Sequence, residues 1–191
     1  MMTQDKIELT AMPTPNPNTV KFLVNQSLFK SGTFDYADAE SAKDIPLAAA
    51  LFELDNVNGV MIGFNFISVT KSEDTQWEGL LEPVRDLIID QLDNNENALP
   101  KELLKDNSAH TEASDDVSKR IIEILDTEIR PAVAMDGGDI IFRSFQDGVV
   151  TLQLQGACSN CPSSTMTLKM GVENRLKSEF PDEITDVVQE L

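Results

Sequence analysis

Residues 156–164 read Gly-Ala-Cys-Ser-Asn-Cys-Pro-Ser-Ser and contain both cysteines of the chain, Cys158 and Cys161. Two thiols separated by two residues can bind one metal centre or close on each other as a disulfide. Pro162 suits the first position of a helix, because its ring fixes φ and its missing N–H would have no partner there. The pattern predicts a helix that begins at Pro162 with Cys161 as its N-cap, where amide N–H groups and the helix dipole favour thiolate over thiol.

The two cysteines supply half of a coordination shell, since iron–sulfur clusters and structural zinc sites normally have four protein ligands. The only histidine, His110, lies in a polar stretch far along the chain, and we interpret it as solvated and without function. A second copy of the chain is then the simplest donor of the missing ligands. Burial of both cysteines as small core residues is the alternative, and the surrounding glycine, serine and proline disfavour it.

The composition is typical of a soluble, strongly acidic globular protein. The 191 residues are 41% hydrophobic and carry a formal net charge of −18, and a chain of this length can form two small domains. The charge makes nucleic acid and anionic membrane surfaces unsuitable partners. No apolar run is long enough to span a bilayer, and the first residues show neither a secretory signal nor a transit peptide. We therefore expect a cytoplasmic protein whose acidic residues serve mainly for solubility.

The first half of the chain predicts a β-sheet packed with helices. Three strands are predicted from β-branched and aromatic runs, at residues 20–24, 59–62 and 66–70. A short helix is predicted from Pro46 and a longer one from Thr75, with Pro83 shifting its start. Residues 32–44 are interpreted as a loop, and Trp77 as an anchor of the core.

The second half predicts a helix, a hairpin, the cysteine loop, a second helix and a last edge strand, in that order. The first helix has Ser114 or Asp115 as its N-cap and should weaken near Pro131. The sequence Asp-Gly-Gly-Asp at residues 136–139 is interpreted as a backbone turn whose acidic side chains solvate it, rather than as a cation site. The hairpin over residues 140–154 then leads directly into the cysteine loop.

The helix after the cysteines is expected to pack one side on the sheet. Its apolar residues recur every fourth position, at Leu168, Val172, Leu176 and Phe180, with Met166 and Met170 beside them. Pro181 ends this helix, and residues 184–191 are a predicted edge strand.

The pattern as a whole predicts an α+β, or mixed α/β, fold with two small domains, each a β-sheet packed with helices. The N-terminal domain covers residues 1–92 and the C-terminal domain residues 115–191. A polar, acidic linker joins them over residues 93–114.

Specific motifs in both halves resemble one known family. In the second half they lie at residues 129–131, 136–140, 147–150, 154, 156–158, 161–165 and 168–169. In the first half they lie at residues 14–18, 21–22, 46–48, 59–60 and 66–71. Together they resemble the Nfu proteins, which carry iron–sulfur clusters and are related to the C-terminal domain of NifU. Asn160 and Met170 depart from the family pattern, where glycine and asparagine are common.

The resemblance implies a function for the cysteines. Cys158 and Cys161 would ligate a [4Fe–4S] cluster, one per homodimer, that is shared between two chains and passed to apo iron–sulfur client proteins. It also implies an upstream cluster scaffold as the source, an N-terminal domain for client recognition, and a binding and transfer protein rather than an enzyme.

Two other functions use the same cysteines. A thiol–disulfide oxidoreductase would usually place CxxC after the first strand of a βαβ unit, with the first cysteine beginning the helix. A structural zinc ion could instead bridge a dimer through the same four thiolates.

Overall fold

The computed structural model describes residues 6–29, 32–100, 110, 113, 115–159 and 162–190, with the backbone alone for 162–165. The chain divides into two compact units, Met1–Asn107 and Ser108–Leu191. Each unit combines a β-sheet with helices and has its own hydrophobic core. The predicted α+β class is therefore confirmed.

The N-terminal unit contains a five-stranded antiparallel sheet of order β1-β2-β5-β4-β3. Its strands are β1 (Leu9–Pro13), β2 (Thr19–Val24), β3 (Phe34–Tyr36), β4 (Val57–Ile62) and β5 (Phe66–Lys71). Its helices are α1 (Ala39–Ala42), α2 (Pro46–Phe52) and α3 (Leu81–Asn94). One face of the sheet and the apolar faces of the helices form the core, whose fully buried members include Phe22, Leu47, Leu51, Ile67 and Ile88.

The two proline-dependent helix starts follow the prediction. Pro46 is the first residue of α2, where it requires no N–H partner. Pro83 lies in the first turn of α3, and a short 3₁₀ turn at Trp77–Gly79 precedes that helix. Trp77 is half-buried against the core, and its indole N–H donates to the Pro17 carbonyl at 3.1 Å.

Three elements of this unit are absent from the sequence prediction. Strand β1 is an edge strand that is mostly exposed, so its residues show no alternation of apolar and polar side chains. Strand β3 is the other edge and has only three residues. Helix α1 is a single turn whose capping box pairs Asp38 with Ser41, within a stretch that the sequence indicated as loop.

The C-terminal unit follows the predicted order of elements. Its helices are α4 (Asp116–Ile124), α5 (Arg130–Met135) and α6 (Pro162–Glu179). Its strands are β6 (Gly138–Gln146), β7 (Val149–Gly156) and β8 (Asp186–Glu190), with β6 antiparallel and β8 parallel to β7. Asp115 is the N-cap of α4, accepting from the Ser118 N–H at 2.8 Å. The β6–β7 turn has positive φ at Asp147 and Gly148, as a two-residue hairpin requires.

The α-helix before the hairpin is interrupted just ahead of Pro131, where weakening was predicted, but the chain stays helical beyond the proline. A π-helical turn at Leu125–Ile129 separates α4 from α5, and the Arg130 N–H donates to the Leu125 carbonyl five residues back. Proline lacks an N–H and clashes with the carbonyl four residues earlier in a regular helix. The wider turn accommodates that defect, so the chain stays helical through Met135.

Both ends of the predicted linker, 93–114, belong to folded units. Helix α3 runs to Asn94, and Ala98 is buried in the N-terminal core, where its carbonyl accepts from the Leu47 N–H at 3.1 Å. At the other end, His110 contacts the C-terminal sheet. The sequence did not predict these two contacts, because each is made by a single residue within a polar stretch and leaves no periodic pattern.

Candidate functional site

Cys158 lies in a turn between β7 and α6, directly after the hairpin. The Ala157 N–H donates to the Gly137 carbonyl at 3.1 Å, which ties the loop to the turn that precedes β6. The Ser159 hydroxyl and N–H both bond to the Gly156 carbonyl, at 2.9 and 3.2 Å. The path of the backbone into the cysteine motif is therefore defined on both sides of Cys158.

Gly138 lies directly against the sulfur of Cys158. A Cβ atom placed on Gly138 would be 2.5 Å from Cys158 Sγ and 2.8 Å from the Gln155 carbonyl oxygen. No side chain fits at this position, so glycine is required because the sulfur of Cys158 and the Gln155 carbonyl lie too close to residue 138. Gly137 has a φ of +78°, which confirms a backbone turn at residues 136–137, whereas Gly138 is already the first residue of β6.

Asp139 does not solvate this turn, contrary to the sequence interpretation. Its side chain is 3% exposed and accepts from Arg130 through both oxygens, at 2.8 Å from Nε and 2.7 Å from Nη2. The Ile140 N–H also donates to Asp139 Oδ1 at 2.8 Å. A buried carboxylate requires such compensation, and the hydrogen bonds that Arg130 donates to Asp139 raise the pKa of Arg130 above its ordinary value.

His110 is not a solvated linker residue, as the sequence suggested. Its ring is 9% exposed, its Nδ1 accepts from the Phe142 N–H at 2.8 Å, and its Nε2 lies 3.0 Å from Asp126 Oδ1. Because Nδ1 accepts a hydrogen bond, the proton of the neutral ring lies on Nε2 and is donated to Asp126. His110 therefore fastens the chain to the outer edge of β6.

Asp126 joins His110 to the Arg130–Asp139 pair. Arg130 Nη1 donates to Asp126 Oδ1 at 2.9 Å. Partial burial raises the pKa of Asp126, but the hydrogen bonds from Arg130 and His110 outweigh it and hold that pKa below its ordinary value. A continuous polar chain thus runs from His110 to the turn beneath Cys158.

The two predicted ligands differ in what the structure shows. Cys158 is 3% exposed and belongs to the C-terminal core cluster, so its sulfur is more buried than the sequence led us to expect. Cys161 lies outside the described residues, and its role as N-cap and ligand stays a prediction. Helix α6 begins at Pro162, as the sequence predicted.

Helix α6 exposes a pair of apolar side chains in its N-terminal half. Met166 and Met170, one turn apart, are 69% and 57% exposed. Val172 and Leu176, by contrast, are buried against the sheet as predicted. Methionine side chains are adaptable and frequent at binding surfaces, so this face suits contact with another protein.

The topology around the cysteine loop resembles that of a thiol–disulfide oxidoreductase in one respect. Strands β7 and β8 are parallel, so β7, the cysteine loop, α6 and β8 form a βαβ crossover. The motif therefore does follow a strand of a βαβ unit, as in thiol–disulfide oxidoreductases. The first cysteine does not begin the helix, however, since α6 starts four residues after Cys158.

Two family models match the chain. The NifU-like domain matches residues 121–188, and the scaffold protein Nfu/NifU N-terminal domain matches residues 9–95. These matches define the class of the protein: both halves of the chain are NifU-related domains. Within that class, the chain belongs to the Nfu family, as its sequence motifs predicted.

Named relatives agree with this assignment. The human NFU1 iron–sulfur cluster scaffold homolog, mitochondrial, is 41% identical over 172 residues, covering 88% of this chain and 66% of the relative. The protein of the same name from Drosophila willistoni is 42% identical over 173 residues, covering 88% of this chain and 59% of the relative. The chain therefore spans about three-fifths to two-thirds of the length of these relatives.

Among solved structures, a NifU-like protein from Saccharomyces cerevisiae is 28% identical. The similarity covers 53% of this chain and 91% of the yeast chain, with a TM-score of 0.44. Within the described residues, no helix combines the length and apolarity needed to cross a bilayer.

Proposed function

We propose that this chain is an iron–sulfur cluster carrier that binds a [4Fe–4S] cluster between two copies and delivers it to apo iron–sulfur proteins. The observation that carries the proposal is the position of Cys158 in the loop that leads into α6, where its sulfur packs against Gly138. Membership of the Nfu family supports the same cargo. Cluster delivery needs no catalytic turnover, so we propose a carrier and not an enzyme.

The donor set of one chain fits half of a cluster. Thiolates are the usual protein ligands of [4Fe–4S] clusters, which take four. Cys158 and Cys161 are the only cysteines of the chain. A second copy related by two-fold symmetry supplies the other pair most simply, and the exposed Met166 and Met170 of α6 would offer adaptable apolar surface for that contact.

Delivery requires exchange of ligands. An incoming cysteine thiolate of the client forms a bond to a cluster iron as one thiolate of the carrier leaves, and the exchange repeats until the cluster has moved. We propose that an upstream scaffold loads the chain by the same exchange in reverse. The N-terminal unit has its own core and would recognise clients.

Anaerobic reconstitution tests this function against the two alternatives. We expect about four irons and four acid-labile sulfides per two chains, with the loaded protein dimeric by light scattering and largely monomeric after chelation. Replacement of either cysteine, as Cys158→Ser or Cys161→Ser, should abolish stable binding. Zinc without sulfide would indicate the structural zinc dimer, and a reversible Cys158–Cys161 disulfide without metal would indicate the oxidoreductase. A monomer that holds a full cluster would exclude the bridged arrangement.

The location of the protein is a separate proposal. The cytoplasmic location expected from the sequence stays a prediction, while the human and fly relatives carry the word mitochondrial in their names. Cell fractionation with an antibody against the chain distinguishes the two compartments.

A further inference from the structure

Two arginines of the C-terminal unit make nearly identical ion-pair networks in different places. Arg130 binds Asp139 through two hydrogen bonds and Asp126 through a third. Arg175 likewise binds Glu128 through two hydrogen bonds, both 2.7 Å, and Glu179 through a third at 3.0 Å. The Arg175 network joins α6 to the π-helical turn near the surface, whereas the Arg130 network lies at the turn that contacts Cys158.

Arg130 is linked to the cysteine through two consecutive residues, Asp139 and Gly138. Asp139 is the residue after Gly138, so fixing its carboxylate fixes the peptide on which Cys158 Sγ rests. The Ile140 N–H bond to the same carboxylate holds the start of β6. On the other side of the turn, Gly137 accepts from the Ala157 N–H. Arg130 therefore fixes one side of the turn through Asp139, and the other side of the turn binds the cysteine loop through Gly137.

We propose that Arg130 and Asp139 are positioning residues that keep Cys158 seated on Gly138 and thereby set how readily its sulfur exchanges partners. The part of this inference that concerns cluster exchange rests on the proposed function; the part that concerns the thiol does not.

The physical basis is the rigidity of a bidentate pair whose carboxylate is buried, the side chains of Asp139 and Arg130 being 3% and 23% exposed. Breaking such a pair by changing one partner leaves an uncompensated buried charge and is strongly destabilising locally. Lysine does not replace arginine at a bidentate site, because it offers a point charge instead of a planar pair of donors. Arg130→Lys therefore keeps the positive charge and removes the paired hydrogen bonds. Asp139→Asn keeps the shape of the side chain and removes its negative charge.

The thiol can be tested without any cluster, in the full chain carrying Cys161→Ser so that Cys158 is the only cysteine. The rate of alkylation by iodoacetamide reports how often the buried sulfur becomes accessible. We expect Arg130→Lys and Asp139→Asn to increase that rate at least about tenfold, because loss of a buried pair favours local opening. Arg175→Lys, the matched control, should leave the rate within about twofold.

A second control separates local opening from general instability. Val187 is a buried core residue of β8 that pairs with Val150, at the end of β7 remote from the cysteine loop. Val187→Ala should lower the melting temperature with little effect on alkylation under native conditions. If the Arg130 and Asp139 variants alkylate at the unmodified rate, or no faster than Val187→Ala at equal loss of melting temperature, the inference is wrong.

The cluster is tested in the chain with both cysteines. After reconstitution, Arg130→Lys should carry the same iron per chain but release it to a chelator at least about tenfold faster, with an altered visible circular dichroism spectrum. Equal release rates would overturn the positioning role in exchange. Failure of the unmodified chain to bind any cluster would overturn the proposed function, and the alkylation result would still decide the seating of Cys158.

Discussion

Gly138 and Cys158 are in such close contact that even a methyl group on the glycine would lie 2.5 Å from the cysteine sulfur. We expect Gly138→Ala to displace the cysteine loop and to cost about 1–3 kcal/mol of unfolding free energy, as overpacking usually does. Iron content after reconstitution, together with denaturant unfolding, measures both effects.

The matched control for that substitution is Gly171→Ala. Gly171 lies in α6, and a Cβ placed there would meet nothing within 4 Å. Alanine in a helix interior is more favourable than glycine by roughly 0.5–1 kcal/mol, so this variant should be more stable and load normally. Equal cluster loading by the Gly138 and Gly171 variants would contradict the close-contact argument.

His110 should stabilise the C-terminal unit, because it satisfies the Phe142 N–H and donates to Asp126. We expect fragment 108–191 to be more stable than fragment 115–191 by about 1 kcal/mol, the usual net value of such hydrogen bonds. His110→Ala in the longer fragment should remove that advantage. Urea unfolding of the three proteins provides the comparison, and three equal midpoints would show that His110 contributes nothing.

The two units should separate by function as well as by structure. Each has its own core, so fragment 108–191 is expected to fold alone and to take up as much cluster per chain as the full protein. Its delivery to client proteins should be slower or less selective without the N-terminal unit. Transfer assays with two different apo-proteins measure this, and unchanged selectivity would remove client recognition from the N-terminal unit.

Tyr36 provides a pH-dependent probe of the N-terminal unit. Burial, and secondly the charge of Asp35, raises its pKa to about 12. Its ordinary value is about 10, so the folded state retains a proton that the unfolded state loses first. The stability that the raised pKa of Tyr36 contributes is complete below about pH 10 and is lost as the pH rises through about 12.

Absorbance titration of the phenol is unambiguous, since the chain has one tyrosine. Asp35→Asn should lower the pKa only partway toward its ordinary value, because burial is the larger cause. A complete return to the ordinary value in that variant would reverse the order of the two causes.

The elements that the sequence predicted correctly are those with strong local signals. The β6–β7 hairpin combines β-branched runs with an Asp-Gly turn, and α6 combines Pro162 with apolar residues every fourth position. The family motifs also depend on local residue order. For these features, a window of ten to twenty residues contains nearly all the relevant information.

The features that the sequence missed depend on single contacts between distant residues. The Asp-Gly-Gly-Asp turn was predictable, but the partner of Asp139 lies nine positions earlier, at the start of α5, and no local pattern connects the two residues. His110 lies in a polar stretch and contacts β6 through backbone, which leaves no apolar pattern. A buried carboxylate needs a partner. The signal that the sequence did offer for Asp139 is therefore a nearby cation, Arg130.

The connections of β7 to its two neighbours also suggest an order of folding. The pairing of Gly138 with Gly156 belongs to a hairpin closed by a two-residue turn, whereas the pairing of Val150 with Val187 must first enclose the whole of α6. Short loops close with less entropy loss, and contacts between sequence neighbours form faster. We therefore expect the glycine surface that receives the Cys158 sulfur to be assembled with the hairpin, before the parallel strand completes the sheet.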